Sequence, residues 1–162
     1  MPREYRRKPR RPGPKLLGLD LGERRIGVAV SDDTGIIASP ERILDLRRAS
    51  LADVAGLAVT YKVDGIIVGL PKGMSGSEGY QARETRAMAA EIEALVDVPI
   101  IFWDERLSSQ IADQALSRRV KSPRDRRTQL DAIAAAVTLQ SYMDANPIDR
   151  STPGPIEPES RS

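Results

Sequence analysis

Residues 16–30 read LLGLDLGERRIGVAV, and the way this stretch divides decides the fold. A short apolar run at 16–21 ends at Gly22-Glu23-Arg24, and a second run, IGVAV, occupies 26–30. Two apolar runs across so tight a turn predict an antiparallel strand pair. Gly18, Gly22 and Gly27 do not make a dinucleotide-binding turn, because that motif needs a helix after its glycines and here a strand follows. A third strand is expected from Ile36 to about Leu46, with Pro40 marking an edge strand or a bulge.

Beyond residue 50 the period changes. Ser50 suits the N-cap of a helix over 51–62 that places Leu51, Val54, Ala55 and Ala58 on one face. GIIVGL at 65–70 is continuously apolar, as a parallel strand buried on both faces should be. A long helix is expected over 77–97, with Ala82, Met88, Ala89, Ile92 and Leu95 inward, followed by a second buried strand, PIIFW, at 99–103. Ser108 and Ser109 can cap a helix over 111–118. Residues 118–127 read as a basic loop, and 128–145 as an alanine-rich helix with Leu130, Ile133, Ala134 and Val137 inward. The order β-β-β-α-β-α-β-α-α predicts an α/β fold, a mixed five-stranded sheet of order 3-2-1-4-5 with helices on both faces.

The chain has 162 residues, a length suited to one domain. Residues 1–15 carry seven basic residues against Glu4, and 145–162 carry two basic against three acidic, each segment with four prolines. Both read as disordered tails around a body at 16–144. The body has a net charge of −3, so the overall +2 comes from the N-terminal segment. That segment is either a non-specific attractor of nucleic acid or ribosomal particles, or a solubilising extension. No apolar run has the length of a signal peptide core or a membrane span, so a soluble, cytoplasmic protein is expected.

Cysteine and histidine are both absent. Their absence excludes disulfides, thiolate or imidazole metal sites, thiol nucleophiles and the Ser-His-Asp triad. Any metal must be held by oxygen, which points to Mg2+ or Mn2+. Three places carry carboxylates in unusual settings. Asp20 lies inside the apolar run of the expected central strand, where an unpaired charge is costly; alone, it also fits a turn aspartate bonded to Gly22 or Arg24. Asp104 and Glu105 follow a buried strand directly, where open α/β sheets place ligands. Alternation allows one of them to face strand 1, and Arg106 can neutralise the other. Asp131 borders the inward stripe of the last helix, and a lone residue there is more often a solvated boundary charge. Together, three converging carboxylates require protons or cations. Two divalent ions held there can support attack on a phosphodiester.

Basic residues surround this centre in sequence. Lys72 sits in GLPKGMSGSEG (69–79), a loop whose amides suit a phosphate backbone or simply lead into a helix. Arg118, Arg119, Lys121, Arg124, Arg126 and Arg127 oppose only Asp125 over ten residues. With Arg106 they form a candidate substrate-binding set for nucleic acid.

GLDLGERRIGVAVSD (18–32), VGLPKGMSG (68–76), DERLSS (104–109) and LDAIAAAVTLQSYMD (130–144) resemble, in order, the motifs of the YqgF family, also called RuvX. These are pre-16S rRNA nucleases, once described as Holliday junction resolvase-like. The resemblance implies an RNase H-like fold and a nuclease maturing the 5′ end of 16S rRNA in ribosome biogenesis, with Mg2+ or Mn2+ on acidic residues. By motif, Asp20, Glu105 and Asp131 would be the catalytic and metal-binding set, Asp104 would be the reserve for Glu105, and Asp32 at most an outer contributor. Ser108-Ser109 stands where the family usually has two threonines, and nothing transfers to the tails. Three other readings compete. A DNA junction resolvase needs a dimer; an actin-like ATPase module needs a second domain that this body is too short to hold; a non-catalytic RNA-binding or transcription factor would use the same basic surface.

Overall fold

A computed structural model describes residues 13–73, 76–107 and 123–147, with side chains from residue 129 in the last segment. Five strands, β1 (Leu16–Leu21), β2 (Arg25–Ser31), β3 (Ala38–Asp45), β4 (Gly65–Leu70) and β5 (Ile100–Asp104), form one sheet in the order β3-β2-β1-β4-β5. β1 pairs antiparallel with β2 and parallel with β4, β2 pairs antiparallel with β3, and β4 pairs parallel with β5. This is the order expected from the sequence. β3 is an edge strand, and its pairing with β2 shifts register where Val28 faces Arg42 and Ala29 faces Pro40. Pro40 thus occupies both settings that tolerate its missing N–H.

Helices α1 (Leu51–Thr60) and α2 (Tyr80–Glu93) lie on one face, and α3 (Pro123–Ala145) lies on the other. Alternation sorts the strand residues between two cores. Leu17, Leu19, Leu21, Ile26, Val28, Ile66 and Val68 pack with Val54, Leu57, Ala89 and Ile92 from α1 and α2. Leu16, Ala29 and Ile67 pack with Ile133, Ala135, Ala136, Leu139 and Met143 from α3. The second face is floored with small residues, so α3 comes unusually close. A Cβ on Gly18 would lie 2.8 Å from the Leu139 Cβ.

Helix boundaries and faces depart from the sequence reading in several places. α2 is shorter than expected: Ser77 and Glu78 stay in the loop, where the Gly73 N–H donates to the Ser77 carbonyl. Leu95 lies beyond the end of α2 and is 52% exposed, not inward. α3 starts earlier, at Pro123, a residue favoured in a first helical turn because its N–H would be unused there. Residues 123–127 of the expected basic loop are therefore helical. Its inward face includes Ala132, Ile133, Ala135, Ala136, Val137, Leu139 and Met143, of which Ile133 and Val137 were expected, while Leu130 is 59% exposed and Ala134 is exposed. Lys15, read as part of a tail, is tied into the fold: its backbone N–H donates to Asp64 Oδ2 (2.9 Å) and its Nζ to Asp33 Oδ1 (3.1 Å). Ser108, Ser109, the expected helix over 111–118, residues 1–12 and residues 148–162 lie outside the described residues.

Candidate active site

Asp20 shares the α3-facing side of β1 with Leu16 and Gly18. Its partner across the β1–β2 ladder is Gly27. A Cβ on Gly27 would lie 1.8 Å from the Asp131 carbonyl oxygen. Only a residue without a side chain permits that approach. Gly27 therefore brings the first turns of α3, and Asp131 with them, beside Asp20. The Asp131 carboxylate also meets Arg25, with Nε to Oδ2 at 3.4 Å.

The third carboxylate arrives from the far side of β4. β5 ends at Asp104, and Glu105–Leu107 forms a single 3-10 turn. A Cβ on Gly69 of β4 would lie 3.0 Å from Glu105 Oε1 and 3.3 Å from the Thr138 methyl on α3. Glu105 thus reaches back over a bare position of β4 toward β1. Asp104 is committed elsewhere. Its carboxylate accepts from Arg106 through Nε (3.1 Å), Nη2 (2.6 Å) and the backbone N–H (2.9 Å).

The charges differ accordingly. Burial, then the negative charges of Glu105 and Asp131, push the Asp20 carboxyl up to about 6. Burial, aided by the Asp104 charge, also raises Glu105. Asp104 is held below its ordinary value, chiefly by hydrogen bonding to Arg106 and also by the Lys72 charge. Asp20 and Glu105 are therefore the groups short of positive charge, and Asp104 already has it. All donors are oxygen, which suits a hard cation. Among the described residues no three acidic side chains are grouped tightly enough to enclose an ion by themselves.

The remaining expected site residues are distributed unevenly. Lys72 is half-buried at the start of the β4–α2 loop and acts electrostatically on Asp104 and Glu78. Arg106 is the partner of Asp104. Arg124, Arg126 and Arg127 have their backbone in the first turns of α3, their side chains outside the described set, and Arg118, Arg119 and Lys121 lie wholly outside it. Asp32 organises the β2–β3 turn, accepting from Thr34 Oγ1 and from the N–H groups of Ile36 and Ile37. Sequence reading missed Arg25, Gly27, Gly69 and Thr138. Cross-strand pairing of Asp20 across the Gly22–Arg24 turn was the available signal for Gly27.

Residues 14–145 match the model of the RuvX family, described as a Holliday junction resolvase. The chain belongs to the RuvX family. A RuvX relative from Syntrophus aciditrophicus (strain SB) is 40% identical over 133 residues, covering 81% of this chain and 89% of that one. Another, from Rhodobacter capsulatus, is 43% identical over 131 residues, covering 80% and 82%. Both carry the name "Putative pre-16S rRNA nuclease". Among solved structures, RuvC of T. thermophilus in complex with a Holliday junction substrate superposes with a TM-score of 0.56 at 15% identity, covering 82% of this chain and 96% of that one. The fowlpox virus resolvase in complex with Holliday junction DNA gives 0.52 at 15% identity, covering 83% and 99%. The RuvX chain thus has the RNase H-like fold of these resolvases. Its Asp20 stands on the central strand of that fold, with Glu105 and Asp131 on either side.

Proposed function

We propose that this chain is a metal-dependent nuclease that hydrolyses phosphodiester bonds in maturation of the 5′ end of pre-16S rRNA, acting in the cytoplasm on precursor RNA or ribosomal particles. The observation that carries the reading is the approach of three carboxylates from three elements: Asp20 on the central strand, Asp131 brought beside it over Gly27, and Glu105 over Gly69. Burial and the charges of Glu105 and Asp131 raise the Asp20 carboxyl, and like charges so placed call for protons or a divalent ion. The names of the relatives at about 40% identity support an RNA substrate.

Asp20, Glu105 and Asp131 would hold Mg2+ or Mn2+. When bound, such ions supply positive charge to the attacking and leaving oxygens of the scissile phosphate. Arg106 neutralises Asp104 and keeps that second acidic group from drawing the cation away from Glu105. Lys72 and Arg106, with Arg118, Arg119, Lys121, Arg124, Arg126 and Arg127, would hold the phosphate backbone, and such contacts position the strand without reading its bases. Arg25 keeps the Asp131 carboxylate from standing as a third uncompensated charge. No described helix is long and apolar enough to cross a membrane.

The test is cleavage of a labelled RNA carrying the 5′ flank of 16S rRNA in Mg2+ and in Mn2+, by the parent and by Asp20→Asn, beside a four-way DNA junction. Loss of an outer partner of a metal ligand costs about 10- to 100-fold, so loss of a ligand itself should cost about 100-fold or more. RNA affinity should stay within about twofold, because the phosphate contacts are untouched. Equal cleavage by both proteins would sink the carboxylate mechanism, and cutting of the junction with RNA left intact would move the substrate to DNA.

A further inference from the structure

The segment Trp103-Asp104-Glu105-Arg106-Leu107 leaves the sheet at the end of β5 and turns once as a 3-10 helix with no buried residue of its own. A turn that short does not fix a carboxylate by itself. Both ends of the segment are instead attached to one hydroxyl on α3. Ser141 Oγ accepts a hydrogen bond from Trp103 Nε1 at 3.0 Å and donates one to the Leu107 carbonyl at 2.8 Å. Ser141 is 8% exposed. The next helix residue, Tyr142, meets the Trp103 ring edge-on, with centroids 5.4 Å apart and planes at 89°.

The two attachment points flank Glu105 by two residues on each side. One hydroxyl thereby sets the span of the turn and ties it to α3, the helix that also carries Asp131. Ser141 and Asp131 thus stand on the same helix, ten residues apart. Asp104 and Arg106 pair with each other within the same segment. Thr138, one helical turn before Ser141, and the Glu105 carboxyl both border the bare position at Gly69.

We infer that Ser141 is a positioning residue for the nuclease centre, clamping Trp103 and Leu107 so that Glu105 is held opposite Asp20 and Asp131. The inference rests on the proposed function, in that Glu105 is taken as a ligand of the divalent ion. Ser141→Ala removes the clamp and leaves α3 intact, since alanine is the better helix former. Ser141→Thr returns the hydroxyl.

Trp103 is the only tryptophan of the chain, so its fluorescence reports this contact without labels. In ion-free protein, Ser141→Ala should leave Trp103 more open to acrylamide quenching. Titrated with Mg2+ and followed by calorimetry, the variant should bind about tenfold more weakly than the parent, the loss usual for a group that orients a metal ligand. On the flanked RNA its kcat should fall by a similar factor at unchanged KM, with Ser141→Thr restoring all three readings. Parent-like Mg2+ binding and cleavage in Ser141→Ala would overturn the inference while leaving the proposed function standing. Equal losses in the Ala and Thr variants would also overturn it, because packing rather than the hydroxyl would then be at fault. A parent protein that binds no Mg2+ and cleaves nothing would remove the proposed function, and the role of Ser141 with it.

Discussion

Asp20 couples the site to stability through its proton. Its carboxyl ordinarily titrates at 3.8 and here at about 6, so between those values the folded chain keeps a proton that the unfolded chain has lost. The stability due to that proton is full below pH 3.8 and is lost as pH rises through 6. A difference of roughly two pKa units corresponds to about 3 kcal/mol. In ion-free buffer Asp20→Asn, which never ionises, should therefore be more stable than the parent by about 2–3 kcal/mol at pH 8 and indistinguishable from it near pH 3.5. Urea unfolding at the two pH values decides the matter, and equal midpoints at pH 8 would show that Asp20 is not destabilised by its neighbours. Two glycines separate fold from site in the same way. Gly27→Ala drives a Cβ into the Asp131 backbone, which a helix cannot yield cheaply, so about 3 kcal/mol of stability should be lost. Gly69→Ala meets only the flexible end of Glu105 and the Thr138 methyl at 3.0–3.3 Å. It should cost within about 1 kcal/mol, yet lower cleavage about tenfold by displacing Glu105. The sequence alone left Asp104 and Glu105 open, since alternation along a strand does not extend through a 3-10 turn. What separates them is a three-dimensional fact, the closure of Arg106 onto Asp104.

At the scale of elements, strands were legible and helix faces less so. The sheet order follows from the hairpin at 16–30 and the uninterrupted apolar runs at 65–70 and 99–103, because connection rules leave few ways to join them. On α3, Ile133 and Val137 are buried as expected but Leu130 and Ala134 are not, because hydrophobicity ranks Leu130 above Ala132, whereas a glycine floor selects for small side chains. Ala132, Ala135 and Ala136 are buried, and Leu130 is left at the surface. Helix α1 carries a different kind of exception. Past its end Lys62 adopts φ 52, in the left-handed region, while its N–H donates to the Val59 carbonyl and the Val63 N–H to the Ala58 carbonyl. This is the position where helices favour glycine. Lys62→Gly relieves the Cβ crowding but adds backbone freedom to the unfolded chain, leaving a net gain of about 0.5–1 kcal/mol. Chemical denaturation should show a higher midpoint at an unchanged slope, with cleavage untouched because Lys62 lies just past α1, away from the carboxylates. A lower midpoint would mean that the lysine side chain contributes a contact outweighing its strain.

On the scale of the whole molecule, charge is divided between a slightly acidic body and a basic N-terminal segment. Residues 1–12 hold six basic residues and one acidic, and the body from 16 to 144 is at −3. An acidic body with a carboxylate centre repels a polyanion at long range, so the approach of RNA depends on where the compensating cations lie. Those in residues 1–12 join the fold at Lys15, whose ammonium is bonded to Asp33 and stands 6.0 Å from the Tyr61 ring. The two sequence readings of that segment, attraction of nucleic acid and solubilisation, are separable by salt. Each phosphate neutralised on a single strand contributes about −0.7 to the slope of log affinity against log salt. If the segment engages RNA through four or five of its cations, deleting 1–12 should make that slope shallower by about 3 and weaken binding at low salt. The kcat at saturating RNA should not change, since Asp20, Glu105 and Asp131 keep their surroundings. A solubilising extension predicts the opposite pattern, an identical slope with a lower solubility limit. Fluorescence anisotropy on one flanked RNA across a salt series, with full-length and truncated protein side by side, distinguishes the two: the slope responds only to cations that displace counterions, and solubility responds to charge wherever it sits.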